Sequence, residues 1–276
     1  MRVALCQMTS SDGPVANAAR AAEVVRNAAV SGAKLICTPE VTNCVSQSRA
    51  HQEAVLTSQD DDATLAALQD VARAHSVWVS LGSVALKTVD ADGRFANRSF
   101  LIAPDGSIAA QYDKLHMFDV TVSESESYRE SAAFRPGNRA VMAETPLGKI
   151  GLTICYDIRF AHLYRRLAQA GAEIILVPSA FSPVTGAAHW RSLLRARAIE
   201  TGSFIIAAAQ TGRHDATEGR PRGTHGHSMV VSPWGEVRLD AGTHPGVHLV
   251  EIDLAEVAEA RRRIPSLTHD AAFEGP

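Results

Sequence analysis

Cys155 closes an alternating apolar run, Lys149 to Ile154, and is followed by Tyr156-Asp157 and a helix-like pattern from Ile158 to Ala170. A thiol at a strand-to-helix junction meets unpaired backbone N–H groups and the positive end of a helix. Both favour a thiolate and can hold an oxyanion beside it. Asp157 suits the cap or first turn of that helix. The layout is similar to the nucleophile turn of hydrolases, although their serine motif is absent. Free cysteines are most often small buried apolar residues, and Cys6 and Cys37, inside apolar strand patterns, fit that description. Cys155 reads as a nucleophile only if a base and a charge stabiliser accompany it.

Two residues offer themselves. Glu40, in the triplet TPE, directly follows the buried-type strand Lys34 to Thr38, and the carboxyl ends of strands in α/β sheets commonly carry functional groups. Lys114, in YDKLHMF, stands where the strand Ser107 to Tyr112 gives way to a long polar segment, Asp113 to Asn138. Taken singly, each also fits an ordinary surface residue, and spacing alone does not join either to Cys155.

The elements that must position them alternate. Arg2–Met8 reads as a strand, Val15–Ser31 as a helix closed by Gly32, Lys34–Thr38 as a strand, Ala63–His75 as a helix and Val77–Leu86 as a strand. Phe95–Ala103 and Ser107–Tyr112 flank the turn Pro104-Asp105-Gly106, as antiparallel neighbours do. In the polar segment that follows, SESESYRES matches neither periodicity; such a loop in a compact domain is usually functional or disordered. The second half repeats the rhythm, with strand Lys149–Ile154, helix Ile158–Ala170, strand Glu173–Val177 and helix Ala187–Thr201. Strands at Phe204–Gln210, His227–Ser232, Glu236–Leu239 and Val247–Ile252 complete it, and Asp215–Gly226 reads as a mobile loop. Two similar halves predict an α/β fold, a four-layer α-β-β-α sandwich of two mixed β-sheets with outer helices.

Composition narrows the function class. The 276 residues carry a net charge of −3, with no long run of like charge, so neither nucleic acid nor an anionic membrane is the expected partner. Four cysteines without a CxxC pair indicate neither a disulfide framework nor a zinc site. His116, His189, His225 and His227 form no supported metal-ligand set and read as structural or surface groups, as do Arg195, Arg197 and Glu200 at helical spacing. The opening MRVALCQM reads as a strand rather than an export segment, which makes the cytoplasm the expected compartment.

TPE, YDKLHMFD and GLTICYDIRF, in that order, resemble the three signatures of the nitrilase, or carbon–nitrogen hydrolase, superfamily. PSAF, TGAAHWRSLLRARAIE, QTGRH and GHSMVVSPWGEV extend the likeness, which within the superfamily is greatest to the Nit subfamily of amidases. YRESAAFRPG resembles that family's loop bearing a second glutamate, here Glu130. The resemblance implies a single carbon–nitrogen hydrolase domain over residues 1–276, working without cofactor or metal as a homodimer or higher homo-oligomer. It implies a Glu40-Lys114-Cys155 triad assisted by Glu130, in which Cys155 attacks an amide, ammonia leaves with a proton from Glu40, and water releases the thioester. The implied substrate is a small ω-amide, deaminated glutathione ahead of α-ketoglutaramate. The competing class is a non-catalytic scaffold of the same fold, and acyl transfer to an amine would use the same residues.

Such chemistry needs the pKa gap between a glutamate and a thiol, about four units, to close. The expectation is that burial and Glu130 raise Glu40, while Lys114 and the helix N-terminus lower Cys155. Lys114 and the backbone N–H of Tyr156 are the expected oxyanion stabilisers. Arg159 could take a substrate carboxylate through both guanidinium edges, and Ser179, Phe181 and Thr185 in PSAFSPVTG are the further candidates for substrate binding.

Overall fold

The computed structural model describes residues 1–90, 92–123 and 126–275. In the first half β1 (Arg2–Gln7), α1 (Pro14–Val30), β2 (Leu35–Cys37), α2 (Arg49–Val55), α3 (Ala63–His75), β3 (Trp78–Leu86), β4 (Phe95–Ile102) and β5 (Ile108–Asp113) follow one another. The segment read as a structureless loop instead holds a hairpin, β6 (Asp119–Ser123) with β7 (Glu126–Arg129), and a two-residue strand, β8 (Phe134–Arg135). Glu124 and Ser125 of SESESYRES lie outside the described residues.

The second half runs β9 (Val141–Thr145), β10 (Gly148–Leu152), a 3₁₀ turn (Cys155–Arg159), α4 (Ala161–Gln169), β11 (Ile174–Leu176), α5 (Pro183–Thr201) and β12 (Phe204–Ala207). A hairpin of β13 (Thr211–His214) and β14 (Arg222–His225) precedes β15 (Met229–Val231), β16 (Val237–Asp240), β17 (Gly246–Glu251) and α6 (Ala255–Arg263). Helix α5 starts four residues before the sequence pattern does, because Pro183 sits at the first helical position, where its missing N–H costs nothing.

One sheet has the order β17-β1-β2-β3-β4-β5, with β8 beside β4, and the other β16-β15-β12-β11-β10-β9. The parallel centres are β1-β2-β3 and β10-β11-β12, and their outer neighbours are antiparallel. Strand β17 does not stay with the second half: it crosses to pair antiparallel with β1, Arg2 opposite Glu251. Alternation along the strands sorts the layers. Val3, Leu5, Leu35 and Cys37 pack toward Leu152, Leu176 and Ile206 of the other sheet. Their neighbours Ala4, Cys6 and Ile36 pack on Ala21 and Val25 of α1 and Leu65 and Leu68 of α3. Leu163 and Leu167 of α4 and Leu194 and Ala198 of α5 close the far side. The layers therefore run helix, sheet, sheet, helix. Cys6 and Cys37 are fully buried strand residues, and burial pushes the Cys6 thiol up to about 12.

The carboxyl ends of the two sheets are stitched together. Met8 N–H donates to Ala209 O at 3.4 Å, and Thr211 N–H to Met8 O at 2.8 Å. Gln210 reaches across with Nε2 to Ser10 Oγ (2.9 Å) and Glu40 O (3.1 Å), while its Oε1 accepts from Ser10 N–H. Gly82 lets the halves close: a Cβ there would stand 2.0 Å from Thr38 O, 2.5 Å from Pro39 O and 2.6 Å from Pro178 Cβ. The segment Asp215–Gly226, expected to be mobile, is tied down. Thr217 donates its N–H and hydroxyl to Asp12 Oδ2, Ser48 Oγ donates to Glu218, and β14 occupies the far end. At the base of that hairpin His214 is 1% exposed, with its ring nitrogens 2.7 Å from Ser10 O and Thr224 Oγ1.

Gly82→Ala is expected to lower stability by about 1–3 kcal/mol and to displace Glu40, seen as a lower urea midpoint with loss of turnover; an unchanged midpoint would disprove the tight approach. Burial first, and then the Arg222 charge, depress His214 from 6.5 to about 4. The unfolded chain takes up a proton below 6.5 that the folded chain refuses until about 4, so stability rises with pH across that window and is complete above it. The contribution is at most about 3 kcal/mol. In His214→Asn the stability gained between those two pH values should shrink by roughly that amount, measured by urea titration; a slope equal to that of the unmutated protein would refute the assignment.

Candidate active site

Glu40, Lys114, Glu130 and Cys155 line one cavity of about 340 Å³ at the carboxyl ends of both sheets. Three elements of the first half supply the charged groups. The turn after β2 carries Glu40, the end of β5 carries Lys114, and a short 3₁₀ turn after β7 carries Glu130. Lys114 is 2% exposed, so its ammonium must be fully paired. Its Nζ donates to Glu40 Oε1 at 2.8 Å and to both oxygens of Glu130 at 2.9 Å.

The remaining carboxylate oxygens are also satisfied. Asn97 Nδ2 donates to Glu40 Oε1 (2.9 Å) and, at 3.4 Å, to Glu130 Oε1. Phe118 N–H donates to Glu130 Oε2 at 2.6 Å, and Ala180 N–H to Glu40 Oε2 at 2.8 Å. Asn97 and the two backbone donors belong to the site and were not singled out from the sequence. Asn97 lies inside an alternating strand pattern with nothing to distinguish it from any polar residue there.

Cys155 begins the 3₁₀ turn at φ +48°, a left-handed conformation rare for residues other than glycine. Its N–H donates to Pro178 O, and Asp157 fixes the turn from inside. Asp157 Oδ2 accepts from Ile154 N–H (2.9 Å) and Tyr112 OH (2.6 Å), and Oδ1 accepts from His116 N–H (3.0 Å) with His116 Nδ1 at 2.7 Å. One buried carboxylate thus holds the Cys155 turn against the segment that bears Lys114. Arg197 braces the same turn from α5, donating from Nε to Ile158 O at 2.7 Å and pairing with Glu200. On the other side Val41, next to Glu40, is also held at positive φ, +47°, with its N–H donated to Ser83 Oγ. Strain of this kind gathers where surrounding structure over-determines a functional geometry.

The charge states depart from the expectation. Burial favours neutral Glu40, but the Lys114 ammonium, by charge and by hydrogen bond, together with the Arg222 guanidinium, outweighs it and holds the carboxyl below its ordinary range. Burial and then the Glu40 charge push the Cys155 thiol well above its ordinary range, against the pull of Lys114 and the Ala180 N–H. Lys114 is raised: burial works against the cation, and Glu130 and Glu40 more than offset it. The resting site is therefore carboxylate, ammonium and neutral thiol. Proximity to Lys114 was expected to decide the thiol, but burial beside an anion decides it.

Of the other candidates, Tyr156, Phe181 and Thr185 line the cavity, and Arg159 and Ser179 do not. Arg159 packs over the rings of Tyr156 and Phe181 and lies 3.3 Å from His189 Nδ1. Ser179 is wholly buried behind the wall, its hydroxyl donated to Val177 O. The guanidinium groups in the lining are those of Arg129 and Arg222. Both come from hairpins that the sequence pattern left as loop.

A carbon–nitrogen hydrolase family profile matches residues 2–262. The chain is 41% identical over 271 residues to the deaminated glutathione amidase of Mus musculus, covering 97% of this chain and 82% of that protein. It is 38% identical to the Yersinia enterocolitica protein of the same name, with 97% and 92% coverage. The NitFhit protein of C. elegans superposes with a TM-score of 0.88 at 34% identity over 98% of this chain, which spans 64% of that longer one. The amidase from Nesterenkonia sp. AN1, with acrylamide added to its active-site cysteine, superposes at TM-score 0.77 and 25% identity, with 96% and 98% coverage.

With the thiol protonated at rest, alkylation of Cys155 by iodoacetamide should show no inflection between about pH 6 and 8.5. An inflection near neutrality, followed by mass spectrometry of the Cys155 peptide, would reveal a preformed thiolate.

Proposed function

From the premise that this chain belongs to the carbon–nitrogen hydrolase family, we propose that it hydrolyses a small ω-amide through a thioester on Cys155, with Glu40, Lys114 and Glu130 as the partners of the thiol. The observation that carries this reading is the Lys114 ammonium, bridged to Glu40 and Glu130 in the same cavity as Cys155.

The resting charge state orders the steps. Because Glu40 is lowered and Cys155 raised, a free thiolate is costly, and the thiol proton moves to Glu40 as sulfur bonds to the amide carbon. Lys114, with the N–H of Tyr156, faces the oxyanion that this creates. Glu40 then gives the proton to the departing nitrogen, and later takes one from the water that opens the thioester. Glu130 keeps Lys114 oriented while Glu40 is neutral, since Lys114 then retains one full carboxylate partner.

The leading substrate is deaminated glutathione, as the names of the relatives suggest, and α-ketoglutaramate is the alternative. The leaving groups differ: the amide nitrogen of deaminated glutathione belongs to cysteinylglycine, so a dipeptide departs, and ammonia is the product only from a primary amide. A cavity of about 340 Å³ suits either. Phe181, Thr185 and Tyr156 would contact the substrate, and Arg159 would act from behind Tyr156 and Phe181. The same reading includes one catalytic domain over residues 1–276, action in the cytoplasm, and a homodimer formed through the face where Ile199 and Trp234 are exposed. Among the described residues no helix is long and apolar enough to cross a membrane.

Three buried charges and two strained residues serve no purpose in a non-catalytic scaffold, which argues against that class. Incubation with a panel of ω-amides should release amine or ammonia, and acid quenching should leave the acyl mass on the Cys155 peptide. Cys155→Ala should remove both while melting within a few degrees of the unmutated chain. Retained turnover in that variant would exclude Cys155 as the nucleophile.

A further inference from the structure

Arg222 projects from β14 into the cavity wall. Its Nη2 donates to Ala180 O, the carbonyl of the residue whose N–H binds Glu40. The guanidinium lies over the Tyr128 ring at 5.8 Å, and its charge helps depress Glu40. Among the described residues no carboxylate lies within ion-pair distance of it, and its buried Nε has no hydrogen-bond partner. The Thr185 hydroxyl, in the same lining, is a second buried polar atom without a partner. The first turn of α5 brings the two segments together, with Gly223 against Pro183 and His225 against Gly186.

A half-buried guanidinium without a carboxylate partner is expensive to keep, and the cavity that it lines is where an anion can reach it. Tyr128 and Ala180 hold the group, and among the described residues its Nη1 has no protein acceptor, which leaves that N–H end for a ligand. A carboxylate matches that end, and Arg presents it more rigidly than Lys would. Arg129, exposed and also in the lining, adds positive charge at the same wall. Lys114 balances one of the two carboxylates, Glu40 and Glu130, and Arg129 with Arg222 balances the other and leaves one positive charge over in the lining.

Resting on the amidase reading above, we propose that Arg222 is a specificity-determining residue that binds a carboxylate of the amide substrate, so that the enzyme selects anionic amides over neutral ones. The carboxylate can sit on the acyl side or on the leaving group, and both present the same chemistry to the guanidinium.

The test compares Arg222→Met and Arg222→Lys with the unmutated protein on three substrates: glutaramic acid, with an acyl-side carboxylate, butyrylglycine, with a leaving-side carboxylate, and neutral butyramide. In Arg222→Met the kcat/KM ratio of at least one anionic amide to its neutral reference should fall by about 10- to 100-fold, chiefly through KM, with partial recovery in Arg222→Lys. The arm that falls identifies the end of the substrate. Equal losses on all three would assign Arg222 to support of Ala180 and Glu40 alone, and would overturn the proposal, as would no loss.

Calorimetric titration of glutarate and butyrylglycine into the unmutated and Arg222→Met proteins reads the same contact without turnover. Binding of one of them weakened at least about tenfold in the variant supports the subsite, and unchanged or undetectable binding of both refutes it. If the unmutated protein turns over no amide at all, the amidase reading fails, and these titrations still decide the role of Arg222.

Discussion

A lysine ammonium shut away from water between two carboxylates is the constraint to which the rest of the molecule answers. Each charge would cost several kcal/mol to bury alone, and Lys114 is tolerated only because Glu40 and Glu130 both reach it. Those carboxylates in turn need donors for their other oxygens, and Asn97, Phe118 N–H and Ala180 N–H supply them. Five segments are thereby committed to one small volume. The same cluster keeps Glu40 anionic and holds Cys155 as the neutral thiol.

Keeping these groups in register requires the two halves of the sandwich to behave as one body. Glu40, Lys114 and Glu130 come from the first half, and Cys155, Ala180 and Arg222 from the second. The links between them are few and buried. Asp157 joins the Cys155 turn to Tyr112 and His116, Gln210 joins Ser10 to the Glu40 carbonyl, and Gly82 admits the backbone of Thr38 and Pro39 beside Pro178. None of these residues touches the reaction in this scheme. Each sets a distance on which the reaction depends.

The alternating strand and helix patterns made the layered architecture legible and set Glu40, Lys114 and Cys155 at the ends of elements, but only the resemblance to the carbon–nitrogen hydrolase signatures joined them to one another and to Glu130. Periodicity reports which face of an element is buried and says nothing about which strand it pairs with, so the return of β17 to β1 was invisible. Short polar hairpins such as β6-β7 and β13-β14 carry too little alternation to register, and the two cavity arginines were missed with them. The sequence also could not show where the Arg159 side chain is directed, and it does not line the cavity. Four residues beyond the cysteine, a turn and a ring stack direct that side chain over Tyr156 and Phe181 instead. The pKa directions inverted because sequence names the contributions and not their balance: Lys114 outweighs burial at Glu40, and burial beside Glu40 outweighs Lys114 at Cys155.

The left-handed backbone at position 155 constrains the proposed nucleophile independently of its reactivity. A side chain branched at Cβ is disfavoured in that conformation, so threonine would add strain there, as Val41 at φ +47° does beside Glu40. Serine and cysteine both fit the bend, and of the two only sulfur ionises within reach of a glutamate. Backbone strain thus weighs against a branched side chain and acid–base chemistry against a hydroxyl, and cysteine meets neither objection.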